Sequence, residues 1–277
     1  MNQAPSPSPP LSLPPSARML VDVEYLVEQL LQEAQVRETA AESVPLAIVA
    51  EPRVAVGGFG SHRRAMTFSH VRLSGLLRSR AAVDVVDALN AALADTSVDG
   101  VLLEVNTGGG EVTAASMIRQ AIAGRTKPVV TYAHLAASGG MLATMDSDEI
   151  VAAGRTARVG SIGAMLSLPT WLRRMYGDYV TDLYATTSPD KNRAFKEWVQ
   201  TGSTAAFVEE LDQLDAIFMQ EMRAARPINA ALASTTLAGG TWLADEAKRR
   251  GLVDSIGTMN YALTRLASYA ATTSSDQ

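Results

Sequence analysis

The chain of 277 residues has no cysteine, 3 histidines, and 24 Lys plus Arg against 29 Asp plus Glu, a net charge of −5. These counts exclude a thiolate nucleophile, a disulfide and any cysteine-ligated metal. The acidic balance argues against nucleic acid as a partner, since gripping it needs a basic face. Half of the 12 prolines (Pro5, Pro7, Pro9, Pro10, Pro14, Pro15) lie among serines at the start, so residues 1–18 are expected to be a disordered tail. From Leu20 the apolar residues Val23, Val27, Leu30 and Ala34 follow at helical spacing, which predicts an amphipathic helix within 19–44. That helix could pack on its own domain or on a neighbouring subunit. The sequence carries no basic n-region followed by a hydrophobic stretch, and no apolar run nears the ~18–20 residues that span a bilayer. A soluble, cytoplasmic protein without a transmembrane segment is the expectation.

Residues 45–270 read as one domain. Strands are predicted at Arg53 to Gly57 and His70 to Leu76, joined by a polar loop holding Gly60, Ser61, His62, Arg63 and Arg64. Helices and strands then alternate: a helix at Val83 to Ala94 with the stripe Val83, Val86, Leu89, Leu93; a strand at Gly100 to Val105; a helix from Val112 to Ala123; a strand at Pro128 to Tyr132; a helix opening near Ser138; and a strand at Glu149 to Ala152. Short apolar runs alternating with amphipathic helices predict an α/β domain with largely parallel strands buried on both faces. A further strand is expected at Val180 to Ala185. A long helix at Thr204 to Ala225 carries Phe207, Leu211, Leu214, Ile217, Phe218 and Met222. A closing helix, strand, helix unit runs from Leu243 through Gly251, Leu252 and Val253 to Leu266, ahead of a polar tail at 271–277.

Two glycine clusters fall where strands give way to helices. In Asn106-Thr107-Gly108-Gly109-Gly110-Glu111, consecutive glycines can bring bare backbone N–H groups to a surface and cradle an anion or a transient oxyanion. The segment is neither a P-loop nor a dinucleotide fingerprint, and no cofactor is expected; taken alone, such a turn is more often a tight connection than a site. In Ala136-Ala137-Ser138-Gly139-Gly140, Ser138 is either the N-cap of a helix or a nucleophile with the Gly139 N–H beside it. A nucleophilic serine needs a base. His134 is four residues upstream, and no histidine follows Ser138. A desolvated lysine can take that role, and the lysines are Lys127, Lys191, Lys196 and Lys248. Lys127 and Lys248 read as solvated, which leaves Lys191 and Lys196.

The segments GVLLEVNTGGGEVTAA, KPVVTYAHLAASGGMLATMDSDEIVA, RVGSIGAM, SPDKNR and GGTWLADEAKRRGLVDSIGTM resemble the signal peptide peptidase A family, over about residues 53 to 266. That resemblance implies the Clp protease/crotonase fold, a β-α superhelix with parallel strands, and a serine peptidase with a Ser-Lys dyad. It matches Ser138 to the nucleophile, Lys191 to the base, Gly109 and Gly139 to the oxyanion hole, and Ser161 to a serine that orients the lysine. Gly108 stands where the family has proline, and Met141 where an aromatic often follows ASGG. The resemblance also implies a polypeptide substrate and a homo-oligomer. Because phage-encoded relatives mature proheads, capsid or scaffold proteins are the expected partners in the assembling shell, with degradation of signal peptides as the other role. A crotonase-like acyl-CoA enzyme, for which Glu111 is the nearest carboxylate, and an inactive protease-like scaffold are the competing classes.

Overall fold

A computed structural model describes residues 54–56 and 66–273. The expected tail 1–18, the helix within 19–44, the polar loop at 60–64 and residues 274–277 lie outside the described residues. Strands β1 (Val54–Val56), β2 (Met66–Leu77), β3 (Gly100–Gly110), β4 (Val129–Ala137) and β5 (Glu149–Ala153) alternate with helices α1 (Ser79–Ala94), α2 (Val112–Ala123) and the short α3 (Gly139–Thr144). β6 (Arg158–Gly160) follows, then α4 (Thr170–Tyr179), α5 (Arg193–Thr201), α6 (Ala205–Ala225), a 3-10 turn at Ala230–Leu232 and α7 (Ala233–Thr236). β7 (Thr241–Leu243), α8 (Ala244–Arg249), β8 (Ser255–Gly257) and α9 (Met259–Thr273) close the chain. The fold is α/β. The main path of the sheet runs in the order β1-β2-β3-β4-β5-β8, and along it every pair is parallel except β1 with β2.

Side chains alternate across β3. Val101, Leu103 and Val105 face a core shared with Val85 and Leu89 of α1 and Ile118 and Ile122 of α2. Leu102 faces the other way, with Phe68, Val130, Tyr132 and Val151, against Ala262, Leu263 and Leu266 of α9. Both faces are thus covered, as parallel strands with apolar residues on either side require. Charged groups tie the layers at their edges. Asp148 accepts from Arg125 and from the Val129 N–H, and buried Glu149 accepts from Ser255 and Arg265.

β4 is shared between two neighbours. Its first half pairs with β5, from Val130↔Glu149 to Ala133↔Ala152, and its second half with β6, from Leu135↔Arg158 to Ala137↔Gly160. The sheet forks at this strand, and β6 carries β7 antiparallel on its far side.

Four expectations need correction. Val180 to Ala185 forms no strand; Val180 and Leu183 are exposed, and the segment has no neighbouring strand to pair with. The inward stripe of α1 is Ala82, Val85, Leu89, Ala92 and Leu93, while Val83, two residues from Val85 and so on the opposite side of the helix, faces solvent. On α6 only Ala206, Phe218 and Met222 are buried, and Leu214 and Ile217 are exposed. The last strand lies at Ser255–Gly257 rather than around Leu252, and α9 takes in the first residues of the expected tail.

Leu103 is fully buried in the larger core. Leu103→Ala is expected to lower unfolding stability by about 2–5 kcal/mol through lost burial and the cavity left behind, read as a lower denaturant midpoint at unchanged slope.

Candidate active site

β3 and β4 pair side by side from Val101↔Val129 to Thr107↔Ala136, with a register shift between Val105↔Ala133 and Asn106↔Leu135 that passes over His134, and end at the same edge. The two glycine turns therefore meet. A Cβ on Gly109, whose φ is +102°, would stand 2.7 Å from the Gly139 nitrogen and 2.8 Å from Ser138 Cβ, so this close approach requires glycine. Glu111 anchors the turn from outside. Its carboxylate accepts the Ser79 N–H at 2.7 Å and the Ser79 hydroxyl at 2.5 Å, capping α1. That use of Glu111 counts against a free acid for acyl-CoA chemistry.

Ser138 joins β4 to α3 with φ 52° and ψ −120°. A non-glycine residue in such a region costs on the order of 1–3 kcal/mol and persists only where its surroundings impose it. Here the Ser138 N–H donates to the Gly160 carbonyl at 2.9 Å, and the Ser138 carbonyl accepts from the Met141 and Leu142 N–H groups at 2.9 and 3.1 Å. The half-buried hydroxyl makes no capping bond to α3. Of the two local roles open to this serine, the cap is therefore not the one adopted. Gly139 opens α3, so its N–H has no acceptor within the helix.

Ser161 follows Gly160 as Ser138 follows Ala137, and Ala137↔Gly160 is the last rung between β4 and β6. The two serines are thus the first residues past one rung. Both have positive φ, 52° and 53°, and among the described non-glycine residues they share this only with Asn192. Ser161 is held by its N–H donating to the Gly240 carbonyl at 2.7 Å.

Thr107 is a site residue that sequence reasoning missed. Buried, it donates its hydroxyl to the Gly75 carbonyl at 2.5 Å and accepts the Gly109 N–H at 3.0 Å. The Gly109 amide, matched by resemblance to an oxyanion donor, is thus engaged by a side chain of its own turn. A threonine two residues before a turn glycine is the local signal for such a bond.

The lysines are dispersed. Lys127 donates to the Asp95 carbonyl at 2.6 Å and the Ala92 carbonyl at 3.4 Å, capping the end of α1 rather than standing in solvent. Lys248 is exposed on α8. Lys196, on α5, donates to the Pro189 carbonyl at 2.6 Å and lies over the Tyr184 ring. Lys191 is exposed in the turns before α5 and lines a shallow cavity of about 320 Å³ with Asp182, Tyr184 and Ser188. Among the described residues neither Lys191 nor Lys196 hydrogen-bonds Ser138. His134 is also occupied elsewhere. It and His70 donate Nε2–H to opposite oxygens of Glu104, each at 3.0 Å, and Arg72 donates to the second oxygen at 3.1 Å.

The model of peptidase family S49 matches residues 121–273, more than half of the chain. The chain belongs to peptidase family S49. A protease-named protein of Methanocaldococcus jannaschii is 31% identical over 184 residues, 62% of this chain and 56% of its own. Protease 4 of Haemophilus influenzae is 29% identical over 182 residues, 64% of this chain and 29% of its own. The chain thus matches only about half, or less than a third, of these relatives. Solved structures similar to this S49 chain include a membrane-bound stomatin-specific protease, with TM-score 0.49 and 16% identity over 71% of this chain and 82% of that one. An enoyl-CoA hydratase/isomerase family member has TM-score 0.41 and 17% identity, over 74% and 72%.

Burial raises the Glu104 carboxyl, but the His134 hydrogen bond and the charges of His70, Arg72 and His134 outweigh it and hold the group below its ordinary 4.5. A carboxyl lowered by folding stabilises the fold above its unfolded value and loses that contribution as pH falls through the folded one. Glu104→Gln should therefore lower the urea midpoint at pH 7, with the gap to the parent protein closing as pH drops below 4.5. A gap constant into acid would contradict the assignment.

Proposed function

We propose that this S49 chain is a serine endopeptidase in which Ser138 attacks the peptide carbonyl and Lys191 of a neighbouring copy takes its proton. The observation that carries the proposal is the strained Ser138, held by three backbone bonds with its hydroxyl unused as a cap and the Gly139 N–H beside it. Strain of this kind clusters at functional sites. The Gly139 N–H, joined by that of Gly109 once it turns from Thr107, receives the oxyanion. Lys191 then protonates the leaving amine, and water releases the acyl group.

A lysine serves as base only when unprotonated, a state that burial favours. Lys191 is exposed within one copy. Leu183, 92% exposed, lines the same cavity as Lys191, and the segments that precede it expose Met165 (82%) and Trp171 (52%); exposed apolar surface of this kind marks interaction sites. A second copy docked there would bury the lysine. Ser161, in the residue step beside Ser138, is suited to receive and orient the incoming ammonium or amine. The substrate is a polypeptide; capsid or scaffold proteins and signal peptides are the two classes to compare, by mapping cut sites with mass spectrometry.

Ser138→Ala and Lys191→Ala should each abolish cleavage. Mixed and allowed to exchange subunits, the two inactive proteins should regain about a quarter of parental activity, because random assembly of a symmetric oligomer pairs an intact serine with an intact neighbouring lysine in that share of sites. A mixture that stays inactive would place the dyad within one copy. Activity surviving in Lys191→Ala and lost in Lys196→Ala would move the base to Lys196.

A further inference from the structure

We infer that Asp215 is a positioning residue for the active site, acting through the loop that carries Ser161; the inference rests on the serine peptidase reading above. On α6 the buried side chains Phe218 and Met222 follow Asp215 at helical spacing, three and seven residues on. Asp215 thus occupies the inward stripe, where packing alone calls for an apolar residue. Leu214 and Ile217, beside it in sequence, are exposed instead.

The carboxylate is used by the loop after β6. Its Oδ1 accepts the Ala164 N–H at 3.2 Å, and a Cβ on Gly163 would lie 3.4 Å from the same oxygen. The loop needs such a hold. Beyond Gly160 it leaves the sheet with Ser161 at positive φ, and residues 161–169 contain no helix or strand. Its upstream end is tied by the Ser161 N–H to the Gly240 carbonyl and by the Gly160 carbonyl to the Ser138 N–H. Asp215 ties the downstream end. α6 is itself fastened to α2 by the Arg119–Glu221 ion pair at 2.7 Å. The carboxylate therefore connects the helical layer to both serines. Acceptance of one N–H requires an oxygen and not a charge, so asparagine should serve in its place.

The test measures cleavage of fluorescently labelled, unfolded casein together with amide hydrogen exchange in the loop. Asp215→Ala should lower kcat by about tenfold to hundredfold, the range expected for a displaced catalytic geometry, with KM little changed. Exchange should quicken in the peptide spanning 161–168 and not in β3 or α2. Asp215→Asn should restore both. In a Ser161→Ala background, Asp215→Ala should cost little more, since two residues acting through one another are not additive. Additive losses, an Asn variant as impaired as Ala, or exchange that quickens throughout would overturn the inference. If Ser138→Ala keeps full activity, the serine reading fails by itself, and unchanged loop exchange in Asp215→Ala would still separately overturn the role given to Asp215.

Discussion

The hydrogen bond from the Ser138 N–H to the Gly160 carbonyl is the constraint around which the site is arranged. It exists because β4 pairs with β5 over its first half and with β6 over its second. A strand with a single neighbour along its length would carry its regular ladder to the end and leave the next residue free to adopt an ordinary extended or helical conformation. The fork brings in β6 at Leu135 and ends both strands on one rung, so the residue after β4 must turn sharply into α3 while its N–H is still held. The positive φ of Ser138 follows from those two demands together.

The same rung explains why the glycines are where they are. β3 ends beside β4, and Gly109 passes within contact distance of Ser138 and the Gly139 amide. A side chain there would push β3 from β4 and open the turn that holds the serine. Thr107 and Glu111 fasten the two ends of this glycine run, one inward to Gly75 and one outward to Ser79. The turn is thereby held at both ends without any side chain of its own at its closest point.

The central strands and α2 were legible because burial on both faces, or on one stripe, writes a period into the sequence. α2 occupies Val112–Ala123 as the pattern predicted. β6 was not legible: Arg-Val-Gly is too short to show a period, and its place in the sheet comes from β4 and β7. Val180 to Ala185 misled for the converse reason, since it has β-branched and aromatic residues typical of a strand but no partner to pair with. The two turns at Gly109 and at Ser138-Gly139 were legible because tight backbone turns demand glycine; that they meet was not, since it depends on the pairing of β3 with β4. Asp215 was not legible either, since an aspartate among Glu209, Glu210 and Asp212 reads as part of a solvated face until the helix is seen to turn it inward.

The division between Ser138 and the lysines follows from where the fold places its rigid parts. Ser138 and Ser161 stand on the sheet, tied by backbone bonds that cannot shift without breaking a ladder. Lys191 stands in turns before α5, outside the sheet and exposed. A general base must reach the nucleophile to hydrogen-bond distance in the reacting complex, and the neighbouring α4 offers no buried residue that would fasten this segment from within. α4 packs instead on α5, Tyr176 against Phe195 at 4.8 Å between ring centres, and leaves Trp171 and Tyr179 exposed. Docking a second copy on that surface, as proposed, would order the lysine and remove it from water in one step, so that catalytic competence would depend on assembly. The conformation of the strained serine, by contrast, is set within the single chain, by its backbone bonds to Gly160 and to the first turn of α3.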